Sequence, residues 1–183
     1  MVETRIILAS GEEVKRSTPF ADRAPLDRQW HQQTNRRTEM GLLKIASVPA
    51  AIVTTQSSVM EAVQRMSEKW VGAVAVLDKN ELVGIFTERD LMNRVVLEGR
   101  DPKTTTMSEV MTREVETVRK DTPVGEALRL MVERHFRHLP VIGSDGRVLG
   151  ILSVRNVLQH TVEDLSDQLD SMVNFFSADG PGG

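Results

Sequence analysis

Gly84-Ile85-Phe86-Thr87-Glu88-Arg89-Asp90-Leu91 and Gly150-Ile151-Leu152-Ser153-Val154-Arg155-Asn156-Val157 are two versions of one segment: a glycine, two apolar residues, a hydroxyl residue and, three places on, Asp or Asn. An apolar run closing on Thr or Ser with Asp or Asn three residues later reads as a strand entering the capped first turn of a helix. The hydroxyl and the carboxylate satisfy backbone N–H groups that the first turn leaves without partners.

Working upstream, an offset of 65 residues lays Val59, Ala62, Val63 and Met66 on Val124, Ala127, Leu128 and Met131. The spacing i, i+3, i+4, i+7 is one apolar helix face. Thr122 and Pro123 predict an N-cap and a first helical residue in copy two, with Ser57 and Ser58 in the matching places of copy one. Two apolar runs follow each helix, Val71 to Leu77 and Leu82 to Phe86 in copy one, Leu139 to Ile142 and Val148 to Leu152 in copy two. Runs of this length bounded by turn residues read as buried strands. The turn is one residue longer in copy two, so the offset becomes 66 beyond it, at a hairpin tip where an insertion costs little. One strand-helix-strand-strand-helix unit cannot cover both faces of its sheet. The expected α/β fold is therefore two repeats packed as a pseudo-twofold pair.

The repeats are expected over residues 41–104 and 105–160, after a flexible N-terminal arm over 1–40. Met40 is an alternative natural start. Val162, Leu165, Leu169, Met172 and Phe176 form a heptad stripe that predicts an amphipathic C-terminal helix over 161–177, with a disordered tail over 178–183.

Composition narrows the function. The chain has 183 residues, 40% hydrophobic and 27% charged, and a formal net charge of -3 without a basic run able to track a phosphodiester backbone, which argues against nucleic acid. With no cysteine, disulfides, thiolate zinc sites and cysteine nucleophiles are excluded. No apolar run is long enough to span a bilayer, and a cytoplasmic location is expected.

The matched helix faces, His138-Leu139-Pro140-Val141-Ile142 and the doubled G-x-x-[TS]-x-x-[DN] segment resemble a tandem pair of cystathionine-beta-synthase (CBS) domains over roughly Ala46 to Gln159. The resemblance implies a disc-like pair, dimerising into a larger disc, that senses energy or metabolite state by holding adenosyl ligands in clefts between copies.

In that light Thr87 and Asp90 have two readings. As a capping box they only begin a helix. As a site, Gly84 ends a strand so that a base lies close to backbone, the helix start at Thr87 attracts phosphate, and Asp90 accepts both ribose hydroxyls. Ser153 and Asn156 repeat the spacing, but neutral Asn156 is the poorer diol acceptor. The strand entering copy two is expected to carry Arg134, Arg137 and His138; the resemblance assigns phosphate contact to Arg137 and His138, whose counterparts are Gly72 and Ala73, and which cleft they serve is open. Arg89 and Arg155 either flank the ligand or lie exposed. A metal pair at His135 and His138 lacks a third ligand, so no metal is expected.

The sequence carries no Walker loop, nucleophile elbow or dinucleotide fingerprint, so no catalysis is expected. The leading expectation is a non-catalytic, homodimeric regulatory module that senses AMP, ADP or ATP and relays ligand state to a partner protein. The alternatives are a dimeric interaction scaffold without physiological nucleotide binding, and a sensor of S-adenosylmethionine or NADH.

Overall fold

The computed structural model describes residues 6–8 and 41–178; the rest of the expected arm and residues 179–183 lie outside the described residues. Copy one consists of β2 (Ile52–Thr54), α1 (Val59–Lys69), β3 (Ala73–Asp78), β4 (Glu81–Thr87) and a short α2 (Glu88–Asp90), which widens into a π-helical turn at Leu91–Val96. A linker helix, α3 (Met107–Val110), leads to copy two: β5 (Val115–Arg119), α4 (Val124–Arg134), β6 (His138–Ile142), β7 (Val148–Ser153) and α5 (Val154–Ala178). An additional strand, β1 (Ile6–Leu8), falls in the stretch expected as an arm and pairs in parallel with β5. Three apolar residues are too few to signal a strand on their own, and the partner is a hundred residues away.

The two sheets, β2-β3-β4 and β1-β5-β6-β7, repeat each other in detail. Both hairpins carry a register shift, between Val76 and Leu77 and between Val141 and Ile142. Both principal helices end on a left-handed residue, Trp70 at φ 54° and His135 at φ 56°, which turns the chain sharply toward the next strand. Ser58 caps α1 with Glu61 in a capping box. Thr122 does not cap α4, contrary to expectation. Its hydroxyl accepts from Arg119 N–H at 3.1 Å, as Ser57 Oγ does from Thr54 N–H, and Pro123 itself takes the N-cap place.

Each repeat has its own core. Val59, Ala62 and Met66 of α1 pack under β3 and β4, and Ala127, Leu130 and Met131 of α4 pack under β6 and β7. Each core is completed by the segment leading into the other copy. Met107 and Val110 are buried in the first core, and Leu42 in the second. A third cluster, with Ala50, Ala73, Ala75, Ile85, Val115 and Ile151, glues the copies together. The lead-in segments are also tied across by backbone. Ile85 and Thr112 exchange two N–H···O bonds of 2.9 Å, and Ser47 and Ile151 exchange bonds of 2.9 and 3.1 Å. Severing either link would leave buried peptide groups unpaired at a cost of about 1–3 kcal/mol each.

Helix α5 runs unbroken through the boundary expected at 160 and includes Ala178. Leu158, Val162, Leu165, Leu169, Met172 and Val173 are exposed along it. Among the described residues no helix is long and apolar enough to cross a membrane.

Candidate functional site

Strand β4 carries the chain to Thr87, where the signature segment turns into α2. Thr87 N–H and Oγ1–H both donate to Asp90 Oδ2, at 2.9 and 2.7 Å, and Asp90 N–H returns a bond to Thr87 Oγ1 at 3.3 Å. The capping reading of this pair is thus realised. The other carboxylate oxygen, Oδ1, has looser partners: the Thr112 hydroxyl at 3.4 Å and Arg94 Nε at 3.5 Å. A carboxylate offers about four lone-pair sites. Asp90 therefore keeps accepting capacity on the side of Thr112, where its neighbours are long and easily displaced.

That side is a cavity of about 170 Å³ between the copies. Ile85, Thr87, Arg89 and Asp90 line it from copy one, and Thr112, Glu114 to Glu116 and His135 to Leu139 from copy two. Arg137 and His138, whose cleft the sequence left open, border the same cavity as Asp90. The volume is below the roughly 300–1,000 Å³ of a drug-sized pocket. An occupant must widen the cleft or project from its mouth. A larger groove of about 610 Å³ runs along β2 and α1 but contains none of the expected site residues.

His138 reaches back across the interface. Its ring and the Glu88 carboxylate both press on Gly72, where an added Cβ would lie 3.0 Å from His138 Cε1 and 3.0 Å from Glu88 Oε2. Burial holds the imidazole pKa below its ordinary value; the Glu88 carboxylate raises it and Arg137 lowers it further. A ring kept mostly neutral at pH 7 beside an exposed arginine is suited to gaining a proton when an anion arrives.

Two expectations need correction. Gly84 does not end a strand for a base to approach: β4 continues to Thr87, and a Cβ at Gly84 would stand 2.5 Å from Met111 Sδ. Glycine is needed there because the linker crosses the sheet at that point. Arg134 does not belong to a strand carrying phosphate ligands. It ends α4 and faces Glu116, Nε to Oε1 at 3.7 Å.

The counterpart cleft differs. Ser153 and Asn156 cap α5 through Ser153 Oγ–H to Asn156 Oδ1 and Asn156 N–H to Ser153 Oγ (3.2 Å), and Arg155 is exposed. None of the three borders the Asp90 cavity. In place of Arg137 and His138 stand Gly72 and Ala73, and Lys69 Nζ donates to the carbonyls of Pro49 (3.2 Å) and Ala50 (3.3 Å). Among the described residues no cluster of three or more His, Asp or Glu is arranged to hold a metal ion.

A family model described as CBS domain matches residues 44–97 and 107–163. The mitochondrial CBS domain-containing protein CBSX3 of Arabidopsis thaliana is 35% identical over 124 residues, 65% of this chain and 60% of that protein. The chain spans about three fifths of the length of the curated relatives it matches first. A putative signal-transduction protein with CBS domains from Burkholderia ambifaria is 35% identical with a TM-score of 0.61, covering 64% of this chain and 86% of that one. CBSX2 solved in complex with AMP is 27% identical with a TM-score of 0.55, covering 67% and 96%.

Proposed function

Because the chain belongs to the CBS domain family and carries two copies in tandem, we propose that it is a non-catalytic regulatory module that binds AMP, ADP or ATP between its repeats and relays ligand state to a partner protein. The observation that carries this reading is the meeting of Thr87 and Asp90 from copy one with Arg137 and His138 from copy two around one cavity. The diol of a ribose finds a carboxylate, and the phosphate of the same molecule finds a guanidinium and an imidazole that protonates on demand. Arg89, exposed at the rim, adds a second cation to that end. A solved structural neighbour, CBSX2, holds AMP. The composition suits a cytoplasmic setting, in which cellular nucleotide would be the signal.

Thermal melting against a panel of AMP, ADP, ATP, S-adenosylmethionine and NADH tests the reading. A bound ligand stabilises by RT ln(1 + [L]/Kd), about 2.7 kcal/mol at a hundredfold excess over Kd. The phosphorylated nucleotides should raise Tm more than S-adenosylmethionine, which brings one carboxylate in place of a phosphate and a cationic sulfonium that Arg137 repels. No shift with any of the panel would end the proposal.

A second reading, a dimeric interaction scaffold, is favoured by the exposed apolar row on α5 and by exposed Met92 and Val96 in the π turn and Leu97 just after it. Apolar rows of this kind mark association surfaces. Truncation after His160 should abolish self-association in sedimentation runs on this reading. If melting is also indifferent to nucleotide, the scaffold is the whole function.

A further inference from the structure

One group at the cleft has no part in the reading above. Glu116, the second residue of β5, forms part of the cavity wall. Its side chain is only 10% exposed. Oε1 faces Arg134 Nε at 3.7 Å, outside hydrogen-bond range, and Oε2 is one of two side-chain polar atoms among the described residues that are buried without a partner. A carboxylate oxygen held this way is costly and uncommon, and its presence calls for an explanation. Copy one has none of this: the counterpart of Glu116 is Ala51.

The surroundings say what would satisfy it. Ile85, Val115, Phe136 and Leu139 give the neighbouring lining an apolar character suited to a flat ring. Thr112 is anchored to Asp90, and the chain from Thr112 to Glu116 spans at most about 13 Å when extended. Those are nucleoside dimensions, so a sugar seated on Asp90 directs its base toward Val115 and Glu116. The terminal torsion of a glutamate is soft, so the carboxylate of Glu116, which lines the cavity, can tilt toward a donor placed there.

Resting on the adenine-nucleotide reading, we infer that Glu116 is a specificity residue that accepts a hydrogen bond from the 6-amino group of the purine. An ionised carboxylate only accepts. A 6-amino purine supplies the missing donor, and a purine without that amine leaves the carboxylate buried and unpaired.

The test is calorimetric titration with AMP and with purine ribonucleoside 5′-monophosphate, which is AMP without the 6-amino group. The wild-type chain should bind AMP at least about tenfold more tightly. Glu116→Met, similar in length but unable to accept strongly, should bind the two nucleotides alike and melt, without ligand, no lower than wild type. Glu116→Gln, which keeps a neutral acceptor, should retain part of the preference. Equal binding of both nucleotides by wild type, or a preference that survives in Glu116→Met, overturns the inference and leaves nucleotide binding standing. A Glu116→Met protein that melts lower and still prefers AMP assigns Glu116 to the Arg134 ion pair alone, which overturns it too. No binding of either nucleotide by wild type removes the adenine-nucleotide reading itself, and this inference with it.

Discussion

Thr112 and Asp90 belong to different repeats, and the hydroxyl of one reaches Oδ1 of the other across 3.4 Å. The same carboxylate closes the capping box of α2 through Oδ2. Asp90 is therefore both a structural cap and the proposed sugar acceptor, and the roles separate by magnitude. Asp90→Ala should cost about 1 kcal/mol of unliganded stability, as capping residues do, lowering Tm by about 2–4 °C. It should also remove most of the nucleotide-induced rise in Tm. A variant that loses the first and keeps the second would confine Asp90 to capping.

Much of this was readable from residues alone, and the failures have physical causes. The doubled G-x-x-[TS]-x-x-[DN] segment and the helix faces at Val59 and Val124 are local patterns, legible because cap chemistry and periodicity act within one or two turns. The crossing of Met107 into the first core and Leu42 into the second is not local, and nothing in either residue signals it. Gly84 was misread for that reason: its missing side chain accommodates Met111. Placing Arg137 and His138 beside Asp90 likewise required the pairing of the copies.

Gly84→Ala offers a direct check on that crossing. The new Cβ would meet Met111 Sδ at 2.5 Å, and overpacking of this kind costs about 1–3 kcal/mol. Met111 is buried but flexible, so Met111→Ala in the Gly84→Ala background should restore part of the loss. Chemical denaturation of the two singles and the double gives the coupling; strict additivity would mean that the two residues do not collide.

The asymmetry of the clefts predicts the stoichiometry. Asn156 replaces Asp90, Gly72 and Ala73 replace Arg137 and His138, and the Lys69 ammonium occupies carbonyls of Pro49 and Ala50. Calorimetry should give one nucleotide per chain, with Asn156→Ala leaving affinity unchanged within about twofold, a difference of about 0.4 kcal/mol. Two equivalents per chain, reduced to one by Asn156→Ala, would refute the asymmetry.

The pH dependence follows from His138, whose pKa lies below its ordinary 6.5 because the ring is buried. Well above 6.5 the ring is neutral in folded and unfolded chains and contributes nothing. As pH falls through 6.5 the unfolded chain takes up the proton first, so stability declines and the loss is complete once the folded ring has also titrated. His138→Gln should flatten that part of the stability profile. Nucleotide binding should run the other way, because a phosphate beside the ring favours its charged form. Binding then draws in protons, and affinity for AMP should rise between pH 8 and pH 6 even as the unliganded protein weakens. The phosphate itself loses charge over the same range, about half of its second charge being gone at pH 6 because second phosphate ionisations lie near 6, so the gain should level off as pH approaches 6. Titrations in two buffers of different ionisation enthalpy would count the protons. Uptake that persists unchanged in His138→Gln would place the responsive group elsewhere.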